Sequence, residues 1–500
     1  MTPDLRPLLV LTALATLGAS ACRDQGKDPT GDDDDDDTTT APAVLSVGGE
    51  ASSASEASLP VEVSGTANVA AACVRRDRPA EVHLLESQGS GNLDFKFVGL
   101  AADTDYDCSV ALVDGSGEPH TVSLHTMPLD SNAATAHMIG DPSAMTGVWT
   151  LTTVRPECSG NHQNYLTVLD PEGGNRWSFA VPRKLNLGTE ARSDGPNRVL
   201  YGGGDDPAGP PTVVDLQHGE QWRLEFPGSD EVVFHHDAKR IADGRVLSLE
   251  LNEDPGWEAF QLRLSNDDMT TSWYWDVADH TDWLDPGEDS DDPHHANWAD
   301  VVDGPDGLTA YVSLCYAFKI VAIDVATSQP AWRFGYGGDF TLEDPDGNPL
   351  PQDEFPQCQH GVSTDGTNLL VYDNGFDRGY TRAVEYRLDT VRKVATKTWE
   401  WRDEGYWEKY HGGASWLTDD HDRVLVAEAN NDCGDTSDRP TQIVELDRAA
   451  GTEIHRLVFD DVGKWIYNAH RVDGCDLFAN AEYCPAVATR LDELRGALGL

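Results

Sequence analysis

Short apolar stretches separated by turn residues run through most of the chain, and residues 356–389 show this pattern most clearly. An Asp365-Gly366 turn precedes an apolar run at 369–372, and a second run at 383–388 ends in Asp389. Apolar or alternating runs of about four to eight residues, bounded by Gly, Asp and Asn, are typical of β-strands. The hydrophobic pattern therefore predicts an all-β protein.

The same unit recurs after residue 129. Each copy has an apolar strand that ends in Asp, then a turn, then a strand that carries Trp. The copies are Asp170 with Trp177, Asp215 with Trp222, Asp324 with Trp332 and Asp389 with Trp399, a weaker copy at Ser265 with Trp273, and a last copy at Asp447 that lacks Trp. A period of roughly 45 to 65 residues leaves room for about four strands, the size of a β-propeller blade. We therefore predict a six-bladed β-propeller over residues 129–500, with the recurring Trp packed between blades.

Residues 43–128 show a strand pattern without the repeat. The stretch 99–106 ends in Tyr106 and resembles the tyrosine corner of fibronectin type III domains, in which the Tyr hydroxyl bonds to upstream backbone. We expect a small fibronectin type III-like β-sandwich here, acting as a stalk or spacer. Its sequence contains no catalytic pattern of residues.

The first 42 residues carry targeting signals instead of a packing pattern. Residues 8–17 form an apolar stretch too short to span a bilayer, and small residues lead from it to Cys22. Residues 1–22 resemble a bacterial lipoprotein signal, so we expect Cys22 to be lipidated and to anchor the protein to the outer membrane of the cell envelope, on its periplasmic or outer face. An ordinary cleaved signal peptide is the alternative. The Asp-rich segment 23–42 has little to bury, and we expect it to be a disordered tether.

Charge and cysteine content indicate which partners and which compartment suit this protein. The chain has 87 acidic and 36 basic residues and a net charge of −51, which argues against nucleic acid as a partner because phosphates need cationic contacts. Nine cysteines leave an even number after Cys22, which suits disulfides in an exported protein. We predict the pairs Cys73–Cys108 and Cys475–Cys484, and we leave Cys158 and Cys433 unassigned.

Histidines recur at one position of the repeat, a few residues before a turn and an apolar strand. The copies are His235-His236, His294-His295, His360 and His411, with His470 as a candidate fifth. Because the innermost strand of each propeller blade lines the central channel, equivalent positions of successive blades converge at one mouth of that channel. A neutral imidazole is a nucleophile and a proton shuttle, and it is also a metal ligand. The repeat therefore predicts a functional histidine cluster on the propeller axis.

The residues around these histidines resemble the bacterial arylsulfotransferases, which are six-bladed propellers with a small N-terminal β domain. The matching pieces are Phe234-His-His-Asp followed by Gly244-Arg-Val-Leu, His295-Ala-Asn297, Gln359-His360 with Asp373-Asn-Gly, and Thr381-Arg382-Ala-Val-Glu-Tyr. The resemblance covers residues 130–480 and is strongest between 234 and 390.

This resemblance implies transfer of a sulfuryl group from a phenolic sulfate ester to a phenolic acceptor, through a sulfohistidine on His360. His236 and His295 would hold the sulfuryl oxygens and manage the leaving-group proton. We expect the substrate also to contact His235, Asn297, Asn374, Arg382 and His411. No cofactor or metal is implied, and the sequence has no Gly-rich phosphate loop for a nucleotide donor.

One residue departs from the family pattern. The family has a sulfate-clamping arginine on the strand after the second histidine, and that position falls on Cys315 or its neighbour here. Arg382, Arg378 and Lys319 are candidate replacements for it. Two alternatives follow: a non-catalytic binding or scaffolding lipoprotein that has lost the arginine, and a metal site built from the axial histidines.

Cys315 also suggests a covalent link. It lies near the inner strand of one predicted blade, and Cys358 lies near the inner strand of the next. The pair predicts a disulfide between blades beside His360, with a Cys/His metal site as the alternative.

Overall fold

Antiparallel strands make up nearly all of the regular structure in the computed structural model of this protein. The structure describes residues 41–155, 164–181, 190–202, 210–217, 220–224, 233–252, 255–284, 291–305, 307–430, 439–460 and 464–500. Within these ranges there are one α-helix, α1 (Pro485–Leu498), and three short 3-10 turns, Pro142–Ala144, Val277–His280 and Gln352–Glu354. The prediction of an all-β protein is confirmed.

The N-terminal sheet contains six strands. They are β1 (Val44–Val47), β2 (Glu50–Ala51), β3 (Glu56–Arg75), β4 (Val82–Val98), β5 (Asp105–Leu112) and β6 (His120–His125). The 20-residue β3 pairs with β1, β2, β4 and β5, so that hydrogen bonds join both halves of the predicted sandwich into one antiparallel sheet. The backbone N–H of Ala101 donates to the hydroxyl of Tyr106 at 2.8 Å, which confirms the predicted tyrosine corner.

The remaining strands build the propeller. Strands β7 to β14 are Ala136–Gly140, Trp149–Arg155, Tyr165–Leu169, Asn175–Ala180, Glu190–Ser193, Arg198–Gly202, Thr212–Asp215 and Gln221–Arg223. Strands β15 to β22 are Val233–Arg240, Val246–Asn252, Ala259–Ser265, Thr271–Asp276, Ala296–Gly304, Gly307–Leu314, Lys319–Asp324 and Gln329–Gly335. Strands β23 to β32 are Thr341–Glu343, His360–Thr364, Asn368–Asp373, Arg382–Asp389, Val394–Trp401, Gly413–Trp416, Arg423–Glu428, Gln442–Asp447, Thr452–Phe459 and Trp465–Val472.

These strands form six sheets in the described ranges, and the sheets follow one another around a ring. The strand orders are β10-β9-β8-β32, β11-β12-β13-β14, β15-β16-β17-β18, β19-β20-β21-β22, β23-β27-β26-β25-β24 and β28-β29-β30-β31-β7. The innermost strands β32, β11, β15, β19, β24 and β28 contact one another in that order, and β28 contacts β32 again. The last strand, β32, pairs with β8, and β7 pairs with β31, so both ends of this region close the ring.

Apolar side chains fill the space between each sheet and the next. Six hydrophobic clusters bridge successive sheets all the way around the ring. Trp177 and Trp332 are buried in these clusters, as the repeat predicted, whereas Trp222 is 36% exposed beneath the guanidinium of Arg198. A four-stranded sheet with two apolar faces has to bury both of them, and the ring provides a neighbour for each face.

The segment after β32 returns to the N-terminal sheet. Leu491, Leu494 and Leu498 of α1 pack against Ala70 and Ala72 of β3. The propeller strands therefore end at residue 472, and the predicted propeller boundary at residue 500 is corrected. The physical reason is that the apolar face of α1 finds its cover on the N-terminal sheet, which belongs with the propeller to one unit over residues 42–500.

Three disulfides cross-link the described residues. They join Cys73 to Cys108, Cys315 to Cys358 and Cys475 to Cys484. All three predicted pairs are confirmed, and the alternative of a Cys/His metal site at Cys315 and Cys358 is wrong. Disulfides persist in oxidising compartments outside the cytoplasm.

The targeting segment and residues 23–40 of the tether lie outside the described residues, as do Cys22, Cys158 and Cys433. Among the residues that are described, no helix has the length and apolar character needed to cross a membrane.

Candidate active site

Histidines stand at or next to the beginnings of four neighbouring inner strands. His235 and His236 lie in β15, and His360 is the first residue of β24. His295 directly precedes β19, and His411 shortly precedes β28. We call these five residues the histidine centre.

Tyr467, in β32, joins the members of the histidine centre. Its ring stacks on His236 at 5.5 Å between centroids, and it lies 5.5 Å from His411 and 6.2 Å from His360. The ring of His236 lies 5.1 Å from that of His295. The structure thus brings together five of the histidines that the repeat predicted to share one mouth of the channel. It places His294 against Trp257 and Phe260 instead, and it places His470 against Glu190.

His360 is held in a single tautomer. Its Nδ1 lies 2.9 Å from Oδ1 of Asn374 and 3.2 Å from the carbonyl oxygen of Cys358. The amide nitrogen of Asn374 donates to the carbonyl oxygens of Glu408 and His411, which fixes the amide with its oxygen toward His360. Because both partners of Nδ1 are acceptors, Nδ1 carries the proton and Nε2 carries the lone pair. Burial lowers the pKa of His360 to about 4, so the imidazole is neutral at pH 7.

His235, His236 and His295 form a tight subset of the histidine centre. Each offers one ring nitrogen, and the three nitrogens lie within 4.8 Å of one another. The Nε2 atoms of His236 and His295 are 3.3 Å apart. On the far side of these rings, Nδ1 of His295 is hydrogen-bonded to the carboxylate of Asp292, and Nδ1 of His235 lies 2.8 Å from the carbonyl oxygen of Ala296. Burial lowers the pKa of His235 to about 3.

The backbone is strained where it presents these rings. The φ angle is 53° at His236, 44° at His295 and 67° at His411. A residue with a Cβ pays on the order of 1 kcal/mol for this left-handed conformation. Such strain persists where the surrounding contacts over-determine it, and it concentrates at functional sites.

Sequence reasoning missed three residues that complete the centre where the ring closes. Trp465 stacks on His411 at 4.9 Å, and the guanidinium of Arg155 lies 5.3 Å from the Trp465 ring. Burial, followed by the neighbouring charge of His360, lowers the pKa of His411 well below its usual value. Trp465, Tyr467 and Arg155 belong to β32 and β8, which come from opposite ends of the propeller sequence. No periodic signal therefore marks them.

Tyr316 contacts the histidine centre, and Tyr410, which directly precedes His411, pairs with Phe376. Tyr316 stacks on His295 at 4.6 Å and is 47% exposed. Phe376 lies 5.8 Å from Tyr410, and Nζ of Lys409 lies 4.6 Å from the Phe376 ring. We call Tyr316, Phe376 and Tyr410 the aromatic rim. Their flat faces suit an aryl group, and the lysine adds a positive charge beside them.

The expectation that Arg382 binds substrate is corrected by the structure. Its side chain is 1% exposed, and its guanidinium pairs with Asp373 at 2.9 Å and with Glu354 and Glu400 at 2.8 Å each. Arg378 is bound to Asp373 as well. Three carboxylates converge on one buried guanidinium, so Arg382 holds its own blade together.

The two asparagines predicted to contact substrate hold other residues of the site in place. Nδ2 of Asn297 donates to the carbonyl oxygen of Gln359 at 2.9 Å, and the carbonyl oxygen of Asn297 accepts from the Tyr467 hydroxyl at 3.0 Å. Asn374 orients His360. Both side chains are buried, Asn297 at 2% and Asn374 at 0% exposure.

Cys315, at the position of the family's arginine, is bridged to Cys358. The carbonyl of Cys358 faces His360, so the bridge braces the segment that presents the imidazole. Nζ of Lys319, the third candidate replacement, donates to the carbonyl oxygen of Ala317, and burial lowers its pKa. Each candidate cation is thus engaged by described residues outside the histidine centre.

A second polar group lies further along the inner strands, and we call it the ion-pair centre. It consists of Glu190, Arg192, Asp237, Lys239 and His470. Arg192 lies 2.9 Å from Glu190 and 3.5 Å from Asp237, and Lys239 lies 3.2 Å from Asp237. Nε2 of His470 is hydrogen-bonded to Glu190. Burial by itself raises the pKa of Glu190, but the charges of Arg192 and His470 outweigh it and bring the pKa to about 2.

Comparison with known proteins yields structural likenesses only. A hypothetical selenium-binding protein from Sulfolobus tokodaii is 11% identical with a TM-score of 0.36, over 81% of this chain and 92% of its own. Hydrazine synthase from Kuenenia stuttgartiensis is 12% identical with a TM-score of 0.31, over 56% and 71%. Hsv2 from Kluyveromyces lactis is 8% identical with a TM-score of 0.30, over 66% and 99%. No known family and no curated protein matches the chain, and likenesses at this level carry no argument about its chemistry.

Proposed function

We propose that the protein transfers a sulfuryl group between phenolic compounds, with Nε2 of His360 as the nucleophile. The observation that carries this proposal is the hydrogen-bonded frame around the ring. Asn374 and the carbonyl of Cys358 hold the Nδ1 proton, and burial keeps the ring neutral. A buried, neutral and oriented imidazole is an activated nucleophile at pH 7.

The reaction divides into two steps. In the first, Nε2 of His360 attacks the sulfur of a phenolic sulfate, the N–S bond forms, and the S–O bond to the phenol breaks. The phenolate leaves as the anion and takes its proton from solvent. The sulfurylated ring keeps its Nδ1 proton and is cationic, and the oxygens of Asn374 and Cys358 stabilise that charge. In the second step, an acceptor phenol attacks sulfur, loses its proton to solvent and restores His360.

The transferred group carries negative charge on its oxygens, and His236 and His295 are the groups we assign to it. They lie in the same centre as His360 and are held at strained backbone positions. Preorganised groups aimed at developing charge lower a barrier without reorganising during the reaction. Arg155, next to Trp465 and His411, adds positive charge to the same centre.

The aromatic rim supports aryl donors and acceptors. Tyr316 stacks on His295 and is half-exposed, which leaves an aromatic surface beside the imidazoles. The disulfides agree with a site outside the cytoplasm. We extend the proposal to a protein held at the outer membrane by lipid on Cys22 and acting on small phenolic sulfates and phenols.

A propeller that binds ligands without transferring them is the second candidate. It is favoured by the position of Cys315, which lies in a disulfide where the resembling family has its arginine. Arg382 does not restore that charge because three carboxylates surround it.

An assay with 4-nitrophenyl sulfate as donor and phenol as acceptor tests the proposal. We expect 4-nitrophenol release that depends on the acceptor, and a loss of roughly 10³-fold or more in His360→Gln. His455→Gln is the matched control, since His455 is also buried, has a pKa lowered to about 4 by burial, and lies in β31 away from the histidine centre. Mass spectrometry of enzyme quenched with donor alone should find a sulfuryl group on the peptide that contains His360. Absence of release, or equal rates in the two variants, contradicts transfer and leaves the binding protein.

A further inference from the structure

We propose that His235, His236 and His295 bind a divalent transition-metal ion of the zinc class. This site is a statement about ion binding that stands apart from the role of His360. Its function in catalysis, which rests on the proposed sulfuryl transfer, is to supply the positive charge that the resembling family obtains from arginine. His236 and His295 then act on the sulfuryl oxygens through the bound ion. The argument starts from the separation of the ring nitrogens.

The distances match a shared ion. The Nε2 atoms of His236 and His295 are 3.3 Å apart, and all three histidines offer a nitrogen within 4.8 Å of the others. Two imidazole nitrogens that bind one ion at about 2.0–2.1 Å with tetrahedral angles are about 3.3 Å apart. Three histidines with a fourth position left for water or an anion are the ligand set of a catalytic zinc site.

The outer partners of the rings suit metal ligation. Nδ1 of His295 is bonded to the Asp292 carboxylate, and Nδ1 of His235 faces the carbonyl oxygen of Ala296. Metal-binding histidines generally donate their other N–H to a carboxylate or a backbone carbonyl, which fixes the tautomer and directs the second nitrogen at the ion. Asp292 also accepts from the backbone N–H of His295 at 2.9 Å, so carboxylate and ligand are held together.

The position of one proton differs between a bound ion and a simple hydrogen bond. With Nδ1 of His295 donating to Asp292, the contact between the two Nε2 atoms requires a proton on Nε2 of His236. When an ion binds between the rings, neutral His236 carries its one proton on Nδ1 instead, so both Nε2 atoms become ligands without net release of a proton. No oxidant is needed.

The donor set selects the ion. Imidazole nitrogen suits Zn²⁺, Cu²⁺, Ni²⁺ and Fe²⁺, whereas Mg²⁺ and Ca²⁺ prefer oxygen ligands. We commit to Zn²⁺, whose open fourth position polarises an anionic oxygen as a Lewis acid. A sulfate ester presents such oxygens, and His360 and His236 face the same ring of Tyr467.

Calorimetric titration of the purified full chain with ZnCl₂ tests the site, after removal of metals and in excess Mg²⁺ to occupy the acidic surface. We expect one tight ion per chain. Co²⁺ should give the intense visible absorption of a tetrahedral site. His295→Ala should weaken binding by roughly 100-fold or more, and Asp292→Asn, which keeps all three imidazoles, by roughly 10–100-fold.

His360→Gln and His455→Gln should bind Zn²⁺ as the wild type does. Equal Zn²⁺ affinity in the wild type, His295→Ala and Asp292→Asn would overturn the site. Zn²⁺ binding without transfer would keep the site and remove the proposed function, whereas full transfer by metal-free enzyme would keep the function and remove the ion from it.

Discussion

The histidine centre and the ion-pair centre line the same channel, but they give similar histidines different hydrogen-bond partners. Nδ1 of His360 faces the amide oxygen of Asn374, an acceptor without charge. Nε2 of His470 faces the carboxylate of Glu190, which Arg192 also binds. Burial lowers the pKa of both histidines, but Glu190 opposes the shift at His470.

The hydrogen-bond partner of its ring nitrogen therefore decides what a repeated histidine does. A neutral acceptor orients a ring and leaves its second nitrogen with a lone pair. A buried carboxylate beside an arginine makes the ring part of an ion network, which stabilises the channel only while every charge stays paired. The proposed reactivity therefore lies at His360, whose partners are an amide and a carbonyl oxygen, and rigidity lies in the centre with paired charges.

The largest effect should come from removing one charge of the ion-pair centre. Glu190→Gln leaves the partly buried Arg192 and His470 without the buried carboxylate that they share, and we expect the free energy of unfolding to fall by about 3–5 kcal/mol. Urea denaturation measures this. The control is Glu453→Gln, which removes a partly exposed ion pair with Arg456 that contributes about 0–1 kcal/mol. Equal losses in the two variants would show that the ion-pair centre contributes no more to stability than a partly exposed ion pair.

Opening the bridge beside the histidine centre should have the next largest effect. The double variant Cys315→Ser, Cys358→Ser opens a link between residues 43 apart, and we expect a loss of about 2–4 kcal/mol in urea denaturation. The 9-residue separation of Cys475 and Cys484 predicts a smaller loss for their double variant. Sulfuryl transfer should fall only in the first variant, because Cys358 contacts His360. Unchanged transfer would show that the bridge does not position the ring.

Asn374→Asp would give His360 a carboxylate partner like that of His470. The new charge next to Nδ1 favours the imidazolium and raises the pKa of His360 from about 4. We therefore expect the pH dependence of transfer to shift to higher pH. At pH 6 the rate should be lowered roughly 10–100-fold, the loss typical of changing a residue that orients a functional histidine. Asn374→Ala should lower the rate without that shift. A wild-type profile in Asn374→Asp would mean that this hydrogen bond does not control the nucleophile.

The smallest effect concerns stability in mild acid. His360 titrates near 4 in the folded protein and near 6.5 when unfolded, so the unfolded chain binds more protons between these values. Lowering the pH from about 6.5 to about 5.5 should therefore destabilise the wild type more than His360→Gln, by about 1 kcal/mol. Urea midpoints at several pH values measure the difference. Parallel curves would show that His360 does not titrate as a buried group.

The local pattern was sufficient for the fold and for the position of the histidines. The Asp-turn-Trp repeat reflects how each blade buries its two faces. Ring closure then brings equivalent positions of successive blades together at the axis. The role of Arg382 could not be predicted, because Glu354 and Glu400 reach it from other parts of the sheet. The repeat pattern does not mark Tyr467 and Trp465, because they lie on the strand that closes the ring, where the repeat is interrupted.

By itself, the sequence determined an all-β ring with histidines at one mouth and cysteines in bridges, because periodicity and pairing number can be read along the chain. Only the tertiary structure decided which histidine has its Nδ1 proton held by neutral acceptors, which three lie close together and which one is bound in an ion pair. The reason is distance along the chain: Asn374 lies 14 residues from His360, and Glu190 lies 280 residues from His470. A hydrogen-bond partner changes the proton and charge state of an imidazole only once folding has brought the two atoms together.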